Sequence, residues 1–300
     1  PYRVTAISEN STVDLAKNEY YWDGEVPYDT ITIYLTEDSS TKAMALKSGD
    51  VDLAENITTA SDLEELKGNP EYYVSTTAGV RLGNSYFNYN GVLANDALRQ
   101  AIQYAIDDET MCSVTVGGMY TAGSSVLPSS LPYGYEQLTD PYAYDLDKAT
   151  AVLDEAGIVD TDGDGYRELD GENINLNYIA YSSRNLDEFA QAVAITLESI
   201  GIGCSVTVQD YDTALANQSA GRFDLITSNA IVVPTGDPTG FLGNFYSGNS
   251  GTYGYYANDE YDALYEQLLT ATDEDQRLEL IIEMQQILID DAATLVHGYY

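Results

Sequence analysis

The chain is short of positive charge. Of its 300 residues only 12 are Lys or Arg, against 49 Asp or Glu, and the formal net charge is -37. Nucleic-acid binding needs a cationic face to displace counterions from phosphate, so that class is excluded. Docking on anionic lipid is disfavoured for the same reason. Histidine occurs once, at His297, which excludes a His-rich zinc site. The only cysteines, Cys112 and Cys204, are too few for a disulfide framework and read as two buried thiols or as a single bridge. No run of about 18 apolar residues reads as a membrane-spanning helix. Internal repeats and low-complexity linkers are also missing.

What is present is a 44% hydrophobic fraction, enough for a substantial core and against an acidic disordered tail. Tyrosine dominates the aromatics, 27 against 5 Phe and 1 Trp, so most rings carry a hydroxyl suited to wet surfaces or ligand clefts. The chain opens on Pro1-Tyr2-Arg3-Val4 without a charged-then-apolar leader. It stops on Val296-His297-Gly298-Tyr299-Tyr300, which reads as a strand cut short. The expectation is a piece of a longer chain.

Alternation predicts a hairpin over residues 3–7 and 12–16, turning at Glu9-Asn10-Ser11, and a strand over 31–35. Ser39 or Ser40 is expected to cap a helix closed by Gly49, with a brief strand at 51–53 and a short helix at 61–66. Strands follow at 72–75 and 81–88. From Asn95 the texture changes to longer helices: Leu98, Ala101, Ile102, Ala105 and Ile106 form an i, i+3, i+4, i+7, i+8 stripe. Further helices are predicted over 146–156, 186–200, 212–220, 260–271 and 274–290. Strands are predicted at 174–181, 204–208, 223–227 and 294–299. Interleaved helices and strands indicate an α/β architecture.

Several segments, in order, resemble the family 5 extracytoplasmic solute-binding proteins of ABC importers, the oligopeptide-, dipeptide- and nickel-binding group. They are Pro1-Tyr2-Arg3-Val4, Asn18-Glu19-Tyr20-Tyr21-Trp22-Asp23-Gly24, Ser48-Gly49-Asp50-Val51-Asp52, Tyr86-Phe87-Asn88 and the run from Leu98 to Asp107. Ala149 to Gly157, Ile200-Gly201-Ile202, Phe223-Asp224, Gly236-Asp237-Pro238 and Asn258-Asp259 follow in the same order. The resemblance covers nearly the whole chain. It implies a type II periplasmic-binding-protein-like fold, with residues 1–80 a partial lobe one and 81–300 most of lobe two. By analogy the opening strand falls roughly 200 residues into the mature chain.

The resemblance further implies an extracytoplasmic, monomeric receptor, a cell-surface lipoprotein or periplasmic protein. It would capture a small solute, peptide or nickel-chelate-like, in a cleft between lobes and deliver it to ABC permease subunits. The ligand candidates carried over are Glu55 and Asn56 after the Gly-Asp-Val-Asp turn, Tyr86 on one crossing strand, Thr227, Asn229, Val233 and Pro234 before Asp237-Pro238, and His297 and Tyr299 on the second crossing strand. The sequence departs from the peptide binders at two places. Val232-Val233-Pro234-Thr235-Gly236 replaces an Asp that would pair with a peptide amino terminus, and Thr227 replaces an Arg. Each such charge-assisted hydrogen bond is worth about 1.5–3 kcal/mol. A nickel chelate, a glycan or another small solute gains weight accordingly.

Asp160, Asp162 and Asp164, with Gly165, Tyr166 and Glu168, have the spacing of the front of a calcium loop. Position 12 is Gly171 where a bidentate Glu belongs, so the segment reads either as an Asx- and Gly-rich turn or as a structural calcium site. Otherwise no cofactor is expected. Tyr246, Tyr253, Tyr255 and Tyr256, interleaved with Gly248, Gly251 and Gly254, read as a ligand-stacking set or an exposed Tyr/Gly loop. Asp273-Glu274-Asp275 reads as helix N-terminal acids. No Gly-x-Ser-x-Gly elbow, phosphate-binding Gly-rich loop or His-Glu-x-x-His helix is present, so a binding protein rather than an enzyme is expected. The alternative is an acidic secreted surface protein using the Asp loop as a calcium-stabilised module, with no transport role.

Overall fold

Local sequence already sets most element ends in the computed structural model, which describes residues 1–36, 38–77, 79–249 and 253–300. By contacts the chain divides into Pro1–Val74 and Ser75–Tyr300.

In the first unit, β1 (Tyr2–Ser8), β2 (Thr12–Lys17) and β3 (Thr30–Tyr34) form an antiparallel meander. Asn10, in the left-handed region at φ 54°, makes the first turn, a conformation Asn tolerates better than most residues. The helix Ser39–Ser48 is capped by Asp38, whose carboxylate accepts from Thr41 N at 2.7 Å. The expected serine caps lie inside the helix, because the acidic oxygen one residue earlier reaches the free N–H first. A second helix spans Ala60–Gly68. Neither residues 51–53 nor residues 72–75 form a strand. Ala43 and Leu66 are the only buried residues among those described in this unit.

The second unit is built on a five-stranded sheet in the order β10-β4-β9-β7-β8. Its strands are β4 (Arg81–Phe87), β7 (Asn175–Tyr181), β8 (Gly203–Gln209), β9 (Leu225–Ile231) and β10 (Thr294–Tyr299). A two-stranded ribbon, β5 (Glu168–Leu169) with β6 (Glu172–Asn173), precedes β7. β7 runs parallel to β8 and β9, whereas β4 is antiparallel to β9 and to β10.

Because successive side chains on a strand point to opposite faces, neighbours on one strand enter different cores. Phe87 of β4, Tyr178 of β7 and Leu225 of β9 pack with the helices Asp96–Ala105, Leu146–Glu155 and Leu186–Ser199. Tyr86, Ile179 and Ile226, one position away, pack with Asp259–Leu268 and Glu274–Asp290. The predicted stripe Leu98, Ala101, Ile102, Ala105 and Ile106 is buried throughout, and each fully buried large aliphatic chain contributes about 1.5–3 kcal/mol. The caps Asn95, Asp145 and Asp273 accept from Leu98 N, Lys148 N and Gln276 N. Cys112 and Cys204 are buried and unpaired, the two-thiol alternative, and burial pushes each thiol up to about 12. Among the described residues, no helix is long and apolar enough to cross a membrane.

β9 extends to Ile231 instead of ending near Thr227. Register with β4 (Arg81 opposite Ile231, Phe87 opposite Leu225) keeps the polar residues Ser228 and Asn229 in the ladder. At this end of the sheet lie the carboxyl ends of β7, β8, β9 and β10 and the start of β4.

Candidate functional site

Open α/β sheets bind ligands outside the carboxyl ends of their strands. At that end the second unit gathers two arginines that the sequence reading passed over. Arg81 opens β4, and its Nη1 donates to Asn229 Oδ1 at 3.2 Å. Asn229 in turn donates through Nδ2 to the Tyr120 hydroxyl at 3.1 Å and through its backbone N–H to the Tyr181 hydroxyl at 3.1 Å. The Tyr120 hydroxyl donates to the Arg184 carbonyl at 2.8 Å. Arg184 lies in the turn after β7, its guanidinium 5.8 Å from the centre of the Tyr300 ring.

Among the described residues, neither arginine makes an ion pair. The Nε of Arg184 is buried without a hydrogen-bond partner. Burial, then the neighbouring Arg184 charge, lowers the Arg81 guanidinium from its ordinary value, though Arg remains charged at any physiological pH. Arg184 and Asn185 both have positive φ, 52° and 59°, a sparsely populated conformation for non-glycine residues that concentrates at functional sites. Two cations without an acidic partner, close enough for one charge to act on the other, in a chain of net charge -37 make a local positive field that suits a carboxylate or another planar anion.

The earlier candidates fall into four groups. Asn229 is in this cluster. Val233 and Pro234 follow β9, half-buried and exposed respectively, in a turn closed by Gly236 N donating to Val233 O. Tyr86, Thr227, His297 and Tyr299 are buried in the second unit's two cores. The Tyr86 ring packs on Phe245 and Tyr253. The Tyr299 hydroxyl donates to Ser125 O at 2.7 Å. His297 Nε2 lies 2.8 Å from Ser85 Oγ, and the ring stacks on Phe189 at 4.9 Å. In the first unit, Glu55 and Asn56 are exposed between its two helices, with Asn56 at φ 55°.

Asp237, the only acid between Val232 and Pro238, pairs with Arg277 Nη2 at 2.6 Å. The segment after β9 therefore offers no free carboxylate to an amino terminus. Of the tyrosine set, Tyr256 is core and bonded to Asp291 at 2.6 Å, Tyr253 packs on Tyr86, and Tyr246 bonds Glu266. Gly251 lies outside the described residues.

In the Asp loop, oxygens of Asp160, Asp162 and Glu168 lie within 4.8 Å of one another. Asp160 accepts from Gly163 N and Gly165 N at 2.6 and 2.9 Å, which holds its carboxyl below the usual range. Asp164 instead bonds Tyr166 N and Asn173 Nδ2, so it faces the ribbon, and Tyr166 is exposed.

The signal for the arginines was scarcity: in a chain with 12 cations, any two placed just beside strand ends merit notice. Their proximity is a matter of register and is not visible in sequence, since 103 positions separate them.

Residues 1–253 match the family model described as bacterial extracellular solute-binding proteins, family 5, middle. Over 295 residues the chain is 26% identical to the nickel-binding periplasmic protein of Escherichia coli K12, covering 94% of this chain and 55% of that protein. It is 24% identical to the dipeptide-binding protein DppE of Bacillus subtilis, covering 100% of this chain and 54% of the relative. NikA from Brucella suis, solved with Fe(III)-EDTA, superposes with a TM-score of 0.88 at 25% identity, over all of this chain and 61% of NikA. The chain spans about half the length of these curated relatives.

Proposed function

Because the chain belongs to the bacterial extracellular solute-binding proteins of family 5, we propose that it is part of a receptor that captures a small anionic solute outside the cytoplasm. The receptor would then hand that solute to the permease subunits of an ABC importer. The observation that carries the choice of solute is the Arg81–Arg184 pair beside Asn229, unpaired by acid at the carboxyl ends of the parallel strands. A peptide carboxyl terminus and a carboxylate-bearing metal chelate both present the planar anion such a pair takes. Relatives named for nickel and for dipeptides, and NikA solved with an EDTA complex, support the same class. With Asp237 tied to Arg277, recognition rests on the carboxylate end of the solute and not on its amine.

Calorimetric titration with a short peptide, its C-terminally amidated form and a nickel–histidine chelate tests the proposal. Binding of the free acid or the chelate, at least about 10-fold weaker for the amide and for Arg184→Ala, is the expected result. Equal affinity for the acid and the amide would overturn the carboxylate assignment. Capture is driven by the solute's greater affinity for one conformation of the receptor than for the other.

A further inference from the structure

Away from that site, a cavity of about 30 Å³ in the second unit is walled by Gln103, Asp108, Ser124, Asp140, Tyr142 and Thr294, among others. That exceeds the roughly 10–15 Å³ a single water occupies on the same measure. No Lys, Arg or His lines it.

Asp108 is the unusual member. Its neighbour Asp107 is committed to the backbone, accepting from Thr110 N at 3.0 Å and Thr110 Oγ1 at 2.7 Å. Asp108 Oδ1 is buried with no hydrogen-bond partner. The turn that carries it, Asp108–Thr110, runs straight into the π-helical turn Met111–Thr115, an irregularity frequent at functional positions. Burial, then the nearby Asp140 and Asp107 charges, raises the Asp108 carboxyl well above its ordinary value.

Asp140 is exposed and forms the solvent side of the wall. One of its oxygens accepts from Tyr142 N at 2.8 Å, leaving the other open. Gln103 gives its amide N–H to Thr294 O at 2.9 Å and so keeps its amide oxygen as an acceptor. Ser124 adds a hydroxyl oxygen.

We propose that this cavity is a binding site for a hard, oxygen-seeking cation, calcium, held between Asp108 and Asp140. Asp108 is half-buried as a residue, but its buried, unpartnered Oδ1 beside a second carboxylate is unstable unless a proton or a cation lies between them. The further oxygens of Gln103 and Ser124 add ligands that a proton does not need. Calcium takes six to eight oxygens in flexible geometry, and water entering from the Asp140 side completes the shell. With only two charged ligands, affinity belongs in the roughly 10⁻⁴–10⁻³ M range of extracellular modules. This site is separate from the Asp160–Glu168 loop and from the arginine pair, and does not rest on the transport reading.

The test is calcium titration of the whole chain by calorimetry and thermal melting, with Asp108→Asn, Asp140→Asn and Asp160→Asn variants. The expected result is one calcium per chain in the wild type and in Asp160→Asn, no response in Asp108→Asn, and at least about 10-fold weaker binding in Asp140→Asn. Asp108→Asn should also melt above the wild type in EGTA, since the amide keeps the shape without the uncompensated charge. No calcium response in the wild type would overturn the proposal, as would a response kept in Asp108→Asn. A heat lost only in Asp160→Asn belongs to the other loop and overturns it equally. Should Asp108→Asn fail to fold, unchanged affinity in Asp140→Asn is the refuting result.

Discussion

The single histidine makes one electrostatic consequence of this fold measurable without interference. His297 has no exposed surface, stacks on Phe189, and meets only Ser85 and Tyr178 hydroxyls at Nε2, 2.8 and 3.3 Å away. Nδ1 has no partner. Burial lowers its pKa to about 3, against about 6.5 in the unfolded chain. Folded His297 therefore stays neutral where the unfolded chain takes up a proton. Its contribution is fully present above about pH 6.5 and is lost progressively as pH falls toward 3. The slope is about 1.4 kcal/mol per pH unit for one proton, or about 3 kcal/mol lost by pH 4.

Because carboxylates titrate in the same window, the comparison must be with His297→Gln, which keeps a hydrogen-bonding group for Ser85 but cannot charge. Urea unfolding from pH 7 to pH 4 should show the wild type losing about 3 kcal/mol more than the variant. NMR of the one imidazole reports the folded pKa directly. Parallel stability curves, or an imidazole titrating above about pH 5.5, would refute the argument from burial.

Two further predictions concern packing. A fragment starting at Ser75 should fold cooperatively on its own, because both cores draw only on that unit. A fragment of residues 1–74, with Ala43 and Leu66 its only buried described residues, should show collapsed amide dispersion by NMR, and a sharp unfolding transition there would contradict this. Arg167 bonds Asp154, Ile158 O and Ile200 O at 2.6, 2.6 and 2.8 Å. Arg167→Ala leaves two carbonyls without that donor and should cost about 2 kcal/mol in urea unfolding, with a loss under about 0.5 kcal/mol counting against those bonds.

Element identity was legible where a local rule acts alone. The Asn95, Asp145 and Asp273 regions each supply a side-chain oxygen to a free helical N–H. The Leu98–Ile106 stripe needs only the 3.6-residue period. Where two local signals competed, geometry chose: Asp38 caps in place of Ser39 or Ser40, and β9 runs on through Ser228 and Asn229 because β4 pairs with it to Ile231. Family membership was legible too, since ordered short segments spread along the chain hold more information than any one motif.

The site was less legible, for a physical reason. Helices cover both faces of the five-stranded sheet, so a ligand candidate read from a strand is core on either face unless it lies near the strand's end. Tyr86, Thr227, His297 and Tyr299 are buried on this account, while Asn229 joins the cluster. By itself the sequence determined the acidic surface, the α/β alternation, the Asn95 cap and the family. Only the tertiary structure decided that Arg81 and Arg184 meet beside Asn229, that Asp237 is spent on Arg277, and that Asp108 faces Asp140 across a cavity. Each of these joins residues far apart in the chain, and their proximity depends on sheet register and helix packing, which no local pattern encodes.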